Sequence, residues 1–312
     1  MGRSQSLDRK ENTDSMRIPA GVWPVFLTPY LEDSTVDLAG VEALADFYLS
    51  AGVEGFFVSC LSSEVHFLTE EERLAINRRM VSHLSGKVPV VAGGNFGDTL
   101  SEQVESMKRV YETGVNASVV FLSHLPNADH LIDQALELAD RVDAPLGIYE
   151  CPLPVHRLLS PDQVGTLAQT GRFVFMKETS ADLQMYRAKI EAAKGTPLTI
   201  FQANLPNLPM SLETGCPGMC GVIGNVCPEL TDRLCKGNFE SGETRQKVFE
   251  SLVALHTLMK QHTYPSSAKY ILQKRGVNIT TQSRSVNPRL FLDENRAAID
   301  EFLKTFRFDG VH

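Results

Sequence analysis

Phe173-Val174-Phe175-Met176-Lys177-Glu178-Thr179-Ser180 reads as a strand covered on both faces, because four apolar residues run together without polar alternation before a lysine ends them. Working outward from it, seven more β-rich apolar runs are spaced evenly along the chain. They are 22–28, 55–60, 88–92, 117–122, 146–151, 198–202 and 219–223, with the quoted strand taken as 173–177. Helical spacing fills the intervals at 38–50, 69–84, 100–112, 128–142, 161–169, 181–193, 205–213 and 228–237. Thr69 ahead of Glu70–Glu72 and Ser160 ahead of Pro161 are helix-entry signals, and Gly52, Gly114 and Gly215 are stop signals.

Strand-helix alternation repeated eight times predicts an α/β fold, a (β/α)8 TIM barrel, since eight even units suit closure better than an open doubly wound sheet. Beyond residue 240 the pattern changes to helix after helix, at 243–261, 266–274 and 293–306, with no linker rich in Gly or Ser. The expected organisation is a polar disordered tail at 1–15, a barrel at 16–240 and a C-terminal helical extension at 241–312.

Composition narrows the function. In 312 residues, 43% are hydrophobic and 22% charged, as in ordinary globular proteins, and the net charge of −8 opposes a nucleic-acid-binding face. No run reaches the roughly 18 apolar residues of a membrane span, and 1–15 lacks a secretion-signal core. A cytoplasmic protein with neither nucleic-acid nor membrane partners is expected. The cysteines at 60, 151, 216, 220, 227 and 235 lack paired metal-ligand spacing and read as reduced core thiols.

In such a barrel, chemistry sits at the C-terminal ends of strands. Lys177 ends the sixth strand; it either snorkels at the strand end or pairs with Glu178, or it presents its amine at the barrel mouth, where burial disfavours the ammonium and frees a nucleophile. Tyr149 ends the fifth strand in Leu146-Gly147-Ile148-Tyr149-Glu150-Cys151-Pro152, within reach of a neighbour's end, where a phenol can ferry protons. After the second strand, Ser59 to Glu64 form a small polar turn whose hydroxyls and amides could hold a carboxylate.

These three sites, in this order on strands two, five and six, resemble the dihydrodipicolinate synthase and N-acetylneuraminate lyase family of class I, Schiff-base-forming aldolases. The similarity runs from about Ile18 to the last helix. It is most specific at 148–152 and at Met176-Lys177-Glu178-Thr179-Ser180, with tyrosine and lysine 28 positions apart. Glu64 to Thr69, the Val-Pro-Val-Val-Ala-Gly-Gly run at 88–94 and Gly218 to Pro228 match as well.

The resemblance implies Lys177 as the Schiff-base residue and Tyr149 as the proton shuttle, with Ser62 and Ser63, beside Leu61, near the hydroxyls that bind a 2-oxo acid carboxylate. Thr179, Cys220 and His124 complete the implied substrate-binding set, and Glu150, Arg157, Asn204, Gly221 and Asn225 are further specificity candidates. It implies no cofactor and no metal, and a homo-oligomer, dimer or tetramer. Three departures mark an atypical member: Leu61 and Ser63 replace a hydroxyl and a glycine in the turn; Pro154 stands where the synthases carry a substrate-binding arginine; and Ser123 or His124 stands where many members carry a tyrosine. The expected activity is therefore that of a lyase, aldolase or dehydratase, on pyruvate or a longer 2-oxo acid or sugar-acid derivative, rather than that of a dihydrodipicolinate synthase. A non-catalytic relative that binds a 2-oxo acid is the alternative, and a metal-dependent aldolase would need convergent histidines that the scattered eight do not suggest.

Overall fold

The computed structural model describes residues 18–308, so the expected tail at 1–15 lies outside the described residues. In chain order the strands and the α-helices that follow them are β1 (Gly21–Val22), α1 (Leu38–Ser50), β2 (Phe56–Val58), α2 (Glu70–Leu84), β3 (Val90–Gly93), α3 (Leu100–Tyr111), β4 (Ala117–Phe121) and α4 (Leu131–Arg141). Then come β5 (Leu146–Tyr149), α5 (Pro161–Gln169), β6 (Phe173–Glu178), α6 (Leu183–Ala192), β7 (Thr199–Gln202), α7 (Leu208–Leu212), β8 (Gly218–Met219) and α8 (Pro228–Lys236). Three helices end the chain: α9 (Gly242–Gln261), α10 (Ser266–Lys274) and α11 (Asp293–Thr305). The strand order is β1-β8-β7-β6-β5-β4-β3-β2, the cyclic order of the sequence with β1 beside β8. This is the (β/α)8 TIM-barrel class.

The chain forms two compact units, one built on 86–218 and the other on Gly21–Ser85 with Met219–His312. In the first, β3 to β7 pair in parallel, each with its sequence neighbour. The strands are buried along nearly their whole length, as the apolar runs require, and the Phe175 and Phe201 rings lie 5.4 Å apart. Burying a phenylalanine fully is worth about 1.5–3 kcal/mol. Gly147 answers a steric demand in β5, since a Cβ there would stand 2.9 Å from Val119 and 3.2 Å from Phe175.

In the second unit the backbone of Trp23 donates to Met219, joining β1 to β8, and that of Phe26 donates to Phe57 on the side of β2. Here the ladder is shorter than the apolar run at 22–28 predicts. Pro24 has no N–H to give a ladder, and pairing shrinks to Gly21–Val22 plus a bridge from Val25 to Phe57. The run at 219–223 is cut in the same way: Val222–Asn225 coils into a 3-10 turn after β8.

Helix boundaries follow their caps. The Thr69 and Ser160 hydroxyls accept from the amides of Glu72 and Gln163, whose side chains reach back to the caps, so α2 starts at Glu70, one residue after the expected 69, and α5 at the expected Pro161. Asp182 caps α6 by accepting from the amides of Gln184 and Met185, which moves that start from the expected 181 to Leu183. No helix among the described residues is long and apolar enough to cross a membrane. All six cysteines are free; five are buried and Cys235 is half-buried.

Candidate active site

β5 and β6 are in register at their last residues, with Tyr149 opposite Lys177. Both side chains therefore leave the same face of the sheet, and Lys177 Nζ lies 4.6 Å from the centre of the Tyr149 ring. The two are nearly buried, at 6% exposure for the lysine and 2% for the tyrosine. Phe121, at the end of β4, meets the Tyr149 ring edge to face at 5.0 Å and fixes its plane. Burial pushes the Cys151 thiol upward, and the Leu153 amide and the Lys177 charge draw it back.

On the helix-facing side of the same strand ends lies a second cluster. Successive residues of a strand point to opposite faces, so Glu150 and Glu178 turn away from Tyr149 and Lys177. Lys189 of α6 bridges them, with Nζ 2.6 Å from Glu150 Oε1 and 2.9 Å from Glu178 Oε1, and all three side chains are wholly buried. Glu150 also accepts from the amides of Leu159 and Thr179, and Glu178 from that of Ser180. Burial raises the Glu150 carboxyl, Lys189 counteracts it, and Glu178 adds to the rise. The partner of Glu178 is thus Lys189; the pairing with Lys177 that the sequence left open does not form. Reading the sequence missed Lys189. Its one signal is its place three residues after Tyr186, these being the two buried positions of α6.

The loops beyond β4, β5 and β6 hold the remaining candidates of this unit. His124 Nδ1 lies 3.1 Å from the Asn95 carbonyl, and its ring packs against Phe96 and Phe121. A carbonyl only accepts, so Nδ1 carries the proton and a neutral ring is basic at Nε2. Thr179 donates its hydroxyl to the Glu150 carbonyl and accepts from His156 Nε2 at 2.8 Å. Arg157 donates to the carbonyls of Leu122 and Leu125, which ties the loop after β5 to the one after β4. Asn204 accepts from the Asn207 amide and caps a short turn after β7.

The remaining candidates lie in the second unit. Leu61–Ser63 form a 3-10 turn that ends on Glu64 in a left-handed conformation, φ 59°. The Ser63 hydroxyl is committed to backbone: it donates to the Phe26 carbonyl at 2.5 Å and accepts from the Cys60 amide at 3.1 Å. Ser62 Oγ accepts from the Tyr264 hydroxyl at 2.7 Å, and Asn225 Nδ2 donates to that same phenol. Burial pushes the Tyr264 phenol well up. Tyr264, like Lys189, was not singled out from sequence. Glu64 is an unexpected hub: Oε1 takes Lys269 Nζ at 3.1 Å, and Oε2 takes the Ser283 hydroxyl and the amides of Arg284 and Ser285, each at 2.7 Å. Cys220 and Gly221 are buried between β8 and the 3-10 turn at Val222–Asn225.

The eight-stranded α/β barrel is the fold class of the solved structures to which this chain is similar. Residues 18–303 match the model of the dihydrodipicolinate synthetase family, and the chain is a member of it. It is 25% identical over 275 residues to a 4-hydroxy-tetrahydrodipicolinate synthase of Polynucleobacter asymbioticus, covering 86% of this chain and 89% of that one. Among solved structures it is similar to dihydrodipicolinate synthase DapA-2 of Bacillus anthracis, at TM-score 0.84 and 21% identity, covering 94% of this chain and all of that one. YagE of E. coli, solved in complex with pyruvate, is similar at TM-score 0.81 and 24% identity, over 91% of this chain and 97% of that one.

Proposed function

We propose that this protein is a class I lyase, an aldolase or dehydratase, acting on pyruvate or a longer 2-oxo acid or sugar-acid derivative through a Schiff base on Lys177. The observation that carries the reading is the placement of Lys177 Nζ 4.6 Å from the Tyr149 ring centre at two strand ends, both side chains nearly buried. The chemistry asked of Lys177 is that of an amine nucleophile. The amine attacks the C2 carbonyl and forms a carbinolamine, which loses water to give a protonated imine. In cleavage the imine draws in the electrons of the C3–C4 bond as the C4 hydroxyl gives up its proton and leaves as an aldehyde. The resulting enamine takes a proton at C3 and is hydrolysed. In dehydration, loss of a C3 proton gives the enamine, which expels the C4 hydroxyl as water once it is protonated, and hydrolysis of the unsaturated imine frees Lys177. Tyr149 carries protons in both branches, a role worth roughly 10²–10⁴-fold in rate.

The turn at Leu61–Ser63 is the proposed carboxylate-binding element. The Leu61 and Ser62 amides and the Ser62 hydroxyl are the donors, since Ser63 gives its hydroxyl proton to Phe26 and its amide to the Cys60 carbonyl. Thr179, Cys220 and His124 are assigned to the substrate, His124 through a ring whose tautomer Asn95 sets. Pro154 occupies the position of the synthases' arginine and Arg157 is held by two carbonyls, so dihydrodipicolinate formation is not the proposed activity. The family membership and the pyruvate seen in YagE support a 2-oxo acid as substrate. Assembly as a dimer or tetramer belongs to the same reading. The test is turnover of a panel of 4-hydroxy-2-oxo acids, with pyruvate release reporting cleavage and appearance of the 3,4-unsaturated 2-oxo acid reporting dehydration. Cleavage or dehydration by the wild type that Tyr149→Phe slows about 100-fold is expected. An unchanged rate in that variant counts against the assignment.

A further inference from the structure

We propose that Glu150, Lys189 and Glu178 are positioning residues, which hold the ends of β5 and β6 in the register that brings Lys177 over Tyr149. The inference rests on the reading of Lys177 as the nucleophile and adds the device that aims it.

Sequence adjacency is the first argument. Glu150 follows Tyr149, and Glu178 follows Lys177, so each acid shares a peptide unit with one of the two residues to be aligned. Because strand side chains alternate, a force applied to the two acids on the helix side fixes the backbone that carries the tyrosine and lysine on the other side. Lys189 applies it, bridging the two carboxylates at 2.6 and 2.9 Å and so linking β5 to β6 by side chains where their ladder ends. The last backbone bond at that point is long, 3.4 Å from the Glu150 amide to the Lys177 carbonyl.

The loops are drawn into the same device. Glu150 accepts from the Thr179 amide, and the Thr179 hydroxyl returns to the Glu150 carbonyl, so the segment after Lys177 is tied to the residue after Tyr149 twice over, while the Leu159 amide ties in the loop after β5. Position on the helix is also set: α6 is capped by Asp182, and Tyr186 donates its hydroxyl to the Ile200 carbonyl, fixing the face from which Lys189 reaches in.

Composition is the second argument. Two carboxylates share one ammonium, all wholly buried, and Glu178 Oε2 is buried with no hydrogen-bond partner. Replacing a buried ion cluster by apolar residues of the same volume is often neutral or stabilising, so stability alone does not call for one. A geometry with an excess acid and an unmet oxygen, placed one residue behind each of two aligned side chains, fits alignment.

The test uses the full-length protein with pyruvate and borohydride. The rate constant for the Lys177 adduct at saturating pyruvate and the pyruvate concentration for half-maximal trapping are both measured, per folded molecule. Lys189→Met is the direct probe; Glu150→Gln keeps the side-chain shape and folding while losing the Thr179 amide tie, and stands in if the first does not fold. The saturating rate constant is expected to fall about 10- to 100-fold, the range for partners that orient a reacting group, with half-saturation unchanged. Glu178→Gln retains the acceptor for Lys189 and should fall by less than either. A fall in melting temperature with trapping unchanged would make the cluster a purely structural brace and overturn the proposal. No adduct in the wild type would instead remove the reading of Lys177 on which it rests.

Discussion

Two lysines of this chain are wholly buried against carboxylates, and they are satisfied in opposite ways. Around Lys269 the acid is rich in donors: Glu64 takes the ammonium on one oxygen and a hydroxyl with two amides on the other, and the ammonium also donates to the Gln282 carbonyl and packs 4.6 Å from the Tyr30 ring centre. Around Lys189 the acids outnumber the cation, and one carboxylate oxygen has no partner. The first cluster pins the turn at 61–64 to the 282–285 segment and behaves as a brace. The second lies behind Tyr149 and Lys177 and sets two carboxyl groups against one ammonium.

The sharpest way to break this contrast is to delete each cation. Lys189→Met leaves two buried acids facing one another without a cation, the situation in which breaking a buried pair costs about 3–5 kcal/mol. Lys269→Met leaves Glu64 with three donors still in place, and the loss should be that of a hydrogen bond to a charged group, about 1.5–3 kcal/mol. Denaturant midpoints of the two variants measure the difference. Equal losses would mean that the two clusters are the same kind of structure.

A pH series sets the Lys189 cluster against the Glu72–Arg284 pair. The Glu150 carboxyl is raised above 4.5 in the folded protein, so between 4.5 and its folded value the native state binds more protons than the unfolded chain. Stability from this group is then greatest below 4.5 and is lost as pH rises through the folded value. Glu72, held low mainly by its hydrogen bonds to Arg284, acts the other way: its contribution is present above 4.5 and is lost as pH falls through its folded value. The melting temperature of wild type minus that of Glu150→Gln should therefore decline from pH 4.5 upward, whereas for Glu72→Gln the same difference should decline on acidification. A smaller effect is expected from Ser62→Ala, which takes away the acceptor of the Tyr264 hydroxyl and should cost about 1 kcal/mol. A change below a few tenths in its unfolding free energy would show that the phenol finds another partner.

What sequence made legible was whatever depends on neighbours along the chain. The helix-entry signal at Ser160 and Pro161 and the unbroken apolar run before Lys177 could be read directly, and with them the element order and the Lys177–Tyr149 pairing. The ends of the first and last strands were misjudged because Pro24 removes a ladder donor and because Val222–Asn225 coils where an apolar run continues. The buried networks were opaque for a different reason. Lys269 meets its acid 205 positions away and Tyr264 meets Ser62 at a distance of 202, separations at which no periodicity carries information. Lys189 is only 11 positions from Glu178, yet a lysine on a helix ordinarily reads as solvated, and only the packing of α6 shows that it faces inward.

The central claim is that Lys177 forms the imine, and peptide mass spectrometry after incubation with pyruvate or a longer 2-oxo acid in the presence of borohydride tests it directly. The account predicts one reduced adduct, on the peptide carrying Lys177, absent from Lys177→Ala and slowed in Tyr149→Phe. An adduct on another lysine, or none with any 2-oxo acid from a protein that remains folded, would contradict it.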